Sequence, residues 1–135
     1  MKLLDVYTAT VDNSHGTLWE LLGERTPEQS ISHRSMPTWE QHCTFVDARP
    51  YECWYLIADA RWIVGACYLT KQREIGVSIF RAHHRQGHAS RAVAELMRLN
   101  PGRFLANINP ANEASIALFR KLGFGGPIQI TLEKP

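Results

Sequence analysis

The sequence predicts a mixed α/β domain, one central sheet with helices on both faces. Three features predict it. Three runs rich in branched and aromatic residues crowd together between positions 53 and 80, an amphipathic run at 87–99 follows them across a basic turn, and a strand, a helix and a strand complete the chain. With 135 residues, 44% of them hydrophobic, the chain suits one domain, taken as 1–135, with a real core.

Taken in order, residues 3–10 alternate loosely between apolar and β-branched side chains and read as a first strand. Asp12, Asn13, Ser14, His15 and Gly16 are turn chemistry. Leu18, Leu21 and Leu22 then fall on one face of a helix over 17–25, which Thr26-Pro27 breaks. Residues 29–37 carry Ser30, Ser32, His33, Arg34 and Ser35 without periodicity, which predicts an irregular loop. Thr38 with Gln41 forms a capping-box pattern, so a second helix starts there, with Trp39, Cys43 and Val46 on one face.

Pro50 and Tyr51 end that helix, and strands at 53–58, 62–70 and 73–80 form an antiparallel meander. Helix 87–99 places Ala89, Ala92, Val93, Leu96 and Met97 on one face, a stripe that belongs against a sheet. A strand is expected at 103–108, a helix from Asn109-Pro110 to Leu122 closed by a left-handed Gly123, and a last strand at 126–132. The predicted order is β-α-α-β-β-β-α-β-α-β.

Composition narrows the function. A net charge of +2 argues against nucleic acid or a membrane surface as partner, and no apolar run is long enough for a signal peptide or a membrane span. Cys43, Cys53 and Cys67 are odd in number and lack metal-ligand spacing, which suits a reduced, cytoplasmic setting with no metal. The positive charge is instead local. Arg81, His83, His84, Arg85, His88 and Arg91 gather where the 73–80 strand turns into the next helix, so a small polyphosphate is the fitting partner. At a helix start the first backbone N–H groups lack internal partners and the dipole is positive, and Gly87 removes the side chain that would hold a phosphate away.

Two stretches carry a specific resemblance. His84-Arg85-Gln86-Gly87-His88-Ala89 is similar to the pyrophosphate loop of the GNAT superfamily of acetyl-coenzyme A dependent N-acetyltransferases. The run from Asn112 through Ser115 and Phe119 to Lys121-Leu122-Gly123-Phe124 resembles the same family's Asn, Ser, aromatic and Lys-Leu-Gly-Phe ending. The resemblance covers nearly the whole domain and departs at His84, where Gln or Arg is usual. It implies that the amides of Gln86, Gly87, His88, Ala89 and Ser90, with the charge of Arg85 or His84, hold the pyrophosphate of acetyl-coenzyme A as cosubstrate. It further implies that Ile79 and Phe80 flank the pantetheine arm, which Asn112 hydrogen-bonds and Phe119 lines.

For the chemistry, Glu74 is the candidate base acting on an attacking amine, although a solvated edge charge paired with Lys71 or Arg73 reads equally well. The family's usual Tyr acid is replaced by Phe119, which leaves water or Ser115 to assist the departing thiolate. His33, Trp54 and Tyr55 are the candidate acceptor contacts. Trp54 and Tyr55 point to opposite sides of one strand, so one should face core and the other the cleft. The expected acceptor is a primary amine of a small molecule or, by a looser resemblance, of an amino-sugar nucleotide. Protein N-termini or lysines, and a non-catalytic acyl-coenzyme A binding module, are the alternatives. Exposed strand edges near the C-terminus would suit a homodimer.

Overall fold

The computed structural model describes residues 1–8, 13–26 and 35–135. Its sheet has four antiparallel strands in the order β1-β2-β3-β4: Lys2–Asp5, Cys53–Asp59, Trp62–Leu69 and Ile75–Ile79. Alternation along β2 divides the interior. Cys53 and Ile57 face one core with Leu69, Ile75 and the helices α3 (His88–Leu99) and α4 (Glu113–Lys121). Trp54 and Leu56 face a second core with Ala66 and the helices α1 (Ser14–Gly23) and α2 (Trp39–Asp47). Helices therefore cover both faces, and the mixed α/β architecture is the one expected.

The helices begin where local chemistry satisfies their free amides. Asn13, in the left-handed region at φ 61°, accepts the Gly16 N–H at 3.2 Å. Thr38 and Gln41 form a reciprocal box: the Gln41 N–H donates to Thr38 Oγ1 at 3.2 Å and the Thr38 N–H to Gln41 Oε1 at 2.9 Å. The buried face of α2 is rotated from the expected one. His42 and Val46 point inward, while Trp39 is 45% exposed and packs edge-on against Trp19. His42 can be buried because its Nε2 bonds the His15 carbonyl at 2.9 Å.

The β3–β4 turn also trims the strand expected at 73–80. Arg73 takes a left-handed conformation at φ 70°, and its guanidinium reaches the carbonyls of Asn100 at 2.7 Å and Arg103 at 3.1 Å, with Glu52 at 3.3 Å. Pairing with β3 therefore starts at Ile75, and the α3 exit loop is stapled to the sheet.

Two expected strands do not form. Residues 103–108 make a single parallel bridge, Glu74 with Leu105, in which Ile75 N–H donates to Leu105 C=O at 2.8 Å and Leu105 N–H to Arg73 C=O at 2.9 Å. Beyond it the two segments diverge. Residues 126–132 have the right alternation but no neighbouring strand among the described residues, and Ile128, Ile130 and Leu132 are 73%, 77% and 89% exposed. Alternation specifies a strand only when an edge is present to receive it.

Candidate active site

At the end of β4 the chain builds an anion cradle from backbone. A 3₁₀ turn at Arg81–His83 follows Phe80, and its Arg81 N–H is held by Glu24 Oε1 at 2.7 Å, which ties the turn to the end of α1. Arg85 and Gly87 both lie in the left-handed region, at φ 62° and 77°. The first N–H of α3 with an intrahelical partner is that of Arg91, to Gly87 C=O at 3.2 Å, and no side chain caps the helix. The amides of His88, Ala89 and Ser90 thus face outward at the positive end of a twelve-residue helix.

The side chains around this cradle differ from a simple basic patch. His84 Nε2 donates to the Ile79 carbonyl at 2.8 Å and folds the loop back onto β4. Arg91 donates to His88 Nδ1 at 3.1 Å; guanidinium only donates, so Nδ1 is unprotonated and the Nε2–H of a neutral imidazole donates to Gln86 Oε1 at 3.0 Å. His88 is consequently a buried brace for the loop. Arg91, expected as part of the basic group, brings its guanidinium to the face of Gly87, where an added Cβ would lie 2.8 Å from one of its nitrogens. Arg85 is exposed beside it.

The edge of β4 opens toward the cradle. Each strand residue directs its N–H and C=O to the same side, and Ile75 directs its N–H to the Leu105 C=O. Val77 and Ile79 therefore face the same edge, past the point where the neighbouring segment has diverged. His84 occupies the Ile79 carbonyl. A slot thus runs from the cradle along Val77 and closes at the Ile75–Leu105 pair.

Glu74 sits at that closed end, half-buried, its N–H bonded to Thr70 Oγ1 at 2.9 Å. The nearby Arg73 guanidinium is engaged by Glu52 and two carbonyls. By strand alternation Glu74 and Gly76 share the α1/α2 face, where the Tyr68 ring lies across Gly76 so closely that a Cβ would collide with it. Tyr68 stacks on Tyr51 with centroids 4.1 Å apart and planes within 6°, and both meet Trp54 edge-on. Burial pushes both phenols above their ordinary range. At Tyr68 the Arg25 charge and the Tyr51 hydroxyl oppose that rise, while Glu74 adds to it. The two tyrosines were not among the expected site residues, because their meeting depends on the β2–β3 register and the place of Tyr68 over Gly76 on that of β3–β4.

The remaining expected residues separate. Trp54 lies on this aromatic face, 7% exposed. Tyr55 lies on the opposite face, where Asn100 Nδ2 donates to its hydroxyl at 3.1 Å. Asn112 Oδ1 accepts the Ser115 N–H at 3.1 Å and caps α4, leaving its Nδ2 as a donor. Ser115 is half-buried one turn before Phe119. Phe119 is 4% exposed and packs edge-on against Phe124 at 5.0 Å, inside the α3/α4 core. His33 falls outside the described residues.

The site is a groove rather than an enclosed chamber. Two depressions of about 280 Å³ each lie elsewhere: one against Met97, Phe104, Leu122 and Phe124, the other against Tyr7, His15, Asp47 and Arg49. Among the described residues no group of three His, Cys, Asp or Glu could hold a metal, and no helix is long and apolar enough to cross a membrane.

Among curated proteins no sequence matches significantly. The fold is similar to that of a ribosomal-protein-alanine N-acetyltransferase from Brucella melitensis (TM-score 0.72, 18% identity, 91% of this chain and 83% of that one). It is also similar to YncA of Salmonella typhimurium, solved with its cofactor acetyl-CoA (TM-score 0.65, 17% identity, 91% and 77%). An N-acetyltransferase from Staphylococcus aureus Mu50 gives a TM-score of 0.63 at 17% identity over 81% and 73% of the two chains. The acetyltransferase (GNAT) domain family matches residues 9–125. With the cradle, the open β4 edge and that match in agreement, the chain belongs to the GNAT superfamily and is an acyltransferase.

Proposed function

We propose that this protein transfers an acetyl group from acetyl-CoA to a primary amine of a small molecule, an amino-sugar nucleotide being the looser fit. The observation that carries this reading is the alignment of an α3 N-terminus without a side-chain cap with a β4 edge that, among the described residues, has no strand partner beyond the Ile75–Leu105 hydrogen bond. The amides of Gln86, Gly87, His88, Ala89 and Ser90, with Arg85, would hold the pyrophosphate. The pantetheine amides would pair along Val77 and Ile79 as an added strand, beside Phe80 and with Asn112 Nδ2 as a further donor. Phe119 shapes the wall of that slot from inside the core.

The acceptor enters on the α1/α2 face, where Trp54, itself buried, backs the Tyr51–Tyr68 stack from the core; His33 is retained as a contact, and Tyr55, on the other side of the sheet, is not. Glu74 takes the ammonium proton through a water so that a neutral amine attacks the thioester carbon, and Ser115 offers a hydroxyl from the α4 side. Mixing the protein, acetyl-CoA and a panel of amines while following free thiol tests the reaction. Absence of CoA binding by calorimetry would remove the reading.

A second acceptor class is a protein N-terminus, favoured by the Brucella neighbour, whose name gives a protein substrate, ribosomal-protein alanine. Peptides with a free N-terminal amine belong in the same panel. Turnover of them in preference to small amines would decide for that class.

A further inference from the structure

Resting on the acetyltransferase reading above, we propose that the Tyr68 hydroxyl is a catalytic proton donor for the departing thiolate. An extended arm in the slot has a fixed stopping point. Entering from the cradle, it can pair with Ile79 and Val77, but the Ile75–Leu105 hydrogen bond closes the slot at 2.8 Å. At about 3.3 Å per strand residue, the acyl end then lies beside Gly76 and Val77. The polar side-chain group directly over Gly76 is the Tyr68 hydroxyl, which no other residue type at position 76 would admit.

That hydroxyl is also oriented. Tyr51 stacks flat on Tyr68, with ring centroids 4.1 Å apart and planes within 6°, which fixes the plane of the Tyr68 ring. With the ring so held, the proton of Tyr68 is free to point at a substrate. The groups that face it are Tyr51 from the segment before β2, Arg25 from the end of α1, and Glu74 from β4. Burial and the Glu74 charge keep the Tyr68 phenol protonated, ready to donate, while the Arg25 charge and Tyr51 temper the cost of the phenolate that donation leaves. By contrast, α4 presents only Phe119 at the position one turn after Ser115, and that ring is buried against Phe124.

The step balances. The amine nitrogen forms a bond to the carbonyl carbon, the C–S bond breaks with its electron pair going to sulfur, and sulfur takes the Tyr68 proton. The ammonium proton passes to Glu74 through water. The phenolate regains a proton from Tyr51 or solvent.

The test compares Tyr68→Phe, Tyr51→Phe and Ser115→Ala, each checked for folding by thermal melting. For Tyr68→Phe we expect kcat to fall about 10²-fold with acetyl-CoA affinity unchanged. A readout independent of turnover is the affinity for free CoA by calorimetry at pH 7 and 9. A donor at the sulfur favours the thiolate, so the wild type should bind CoA about tenfold tighter at pH 9 relative to acetyl-CoA, a gain that Tyr68→Phe abolishes. Tyr51→Phe should lower both effects, and it carries the decision if Tyr68→Phe does not fold. Retention of kcat and of the pH-dependent gain in Tyr68→Phe, or their joint loss in Ser115→Ala alone, would overturn the proposal. A wild type that binds neither CoA nor acetyl-CoA would instead overturn the acetyltransferase reading.

Discussion

Gly87→Ala offers the sharpest test of the cradle, because a second glycine provides its control. Gly87 and Gly123 both lie in the left-handed region, at φ 77° and 96°, one before α3 and the other after α4. Forcing an L side chain into that region costs about 1–2 kcal/mol, which for a domain of this size lowers Tm by roughly 3–8 °C. Both substitutions should show that loss. Their surroundings differ, however. A Cβ at Gly123 meets nothing within 4 Å, whereas one at Gly87 lies 2.8 Å from an Arg91 nitrogen, on the face where the α3 amides are exposed. A methyl there displaces Arg91 and holds the pyrophosphate off the amides. Losing one or two charge-assisted hydrogen bonds, at about 1.5–3 kcal/mol each, corresponds to a Kd for CoA raised roughly 10- to 100-fold or more. Isothermal calorimetry with CoA, alongside thermal melts, separates the two effects. Equal CoA affinity in Gly87→Ala and Gly123→Ala would refute the placement of the pyrophosphate at this loop.

Glu74→Gln should reduce kcat by about 10²-fold or more with CoA affinity intact, measured by thiol release and calorimetry; full turnover would return Glu74 to a solvated edge charge. Arg73→Ala removes the staple to Asn100 and Arg103, so it should lower Tm by several degrees and weaken CoA binding by loosening the Leu105 closure; a stability loss with unchanged affinity would show that the closure stands without it. Because burial holds the Tyr51 and Tyr68 phenols above their ordinary value of 10.0, the folded chain keeps protons that the unfolded chain releases. Stability is then fully present below pH 10 and falls as pH rises beyond it, and the fall should flatten in Tyr51→Phe when followed by denaturant titration. Phe119→Ala should cost about 3–5 kcal/mol and leave little folded protein, while a surface role for that ring would leave Tm nearly unchanged.

What could be read from the sequence was what depends on near neighbours. The Thr38–Gln41 box, the left-handed Gly123 and the glycine opening α3 each involve residues within a few positions, and each stands where the pattern places it. The meander at 53–80 was equally legible, since short turns leave adjacent strands little choice but to pair. The segments at 103–108 and 126–132 have the same alternation and fail, because pairing requires an edge that the local pattern does not contain. The rotation of α2 has a similar origin: Trp39 finds Trp19 outside the core, and His42 becomes buriable only through the His15 carbonyl.

The same distinction explains why the cofactor side of the groove was easier to find than the acceptor side. Anion binding at a helix start uses backbone amides, so one glycine at the right place reveals it in one dimension. The acceptor face is assembled by register. Tyr68 comes over Gly76 because the two are cross-strand partners, and Tyr51 joins them from a segment that lies far off in the chain. Gly76 read alone is an interruption in a strand, where glycine weakens pairing. Read with Tyr68 it is the condition for a hydroxyl to reach the strand's open edge. Gly76→Ala therefore separates the two halves of the groove: a methyl there expels the Tyr68 ring from its stack, abolishing turnover, while the α3 cradle, built from other residues, should still bind CoA. If CoA binding and turnover instead fell together in a folded Gly76→Ala, the two halves would be one coupled structure and the division argued from the β4 edge would be wrong.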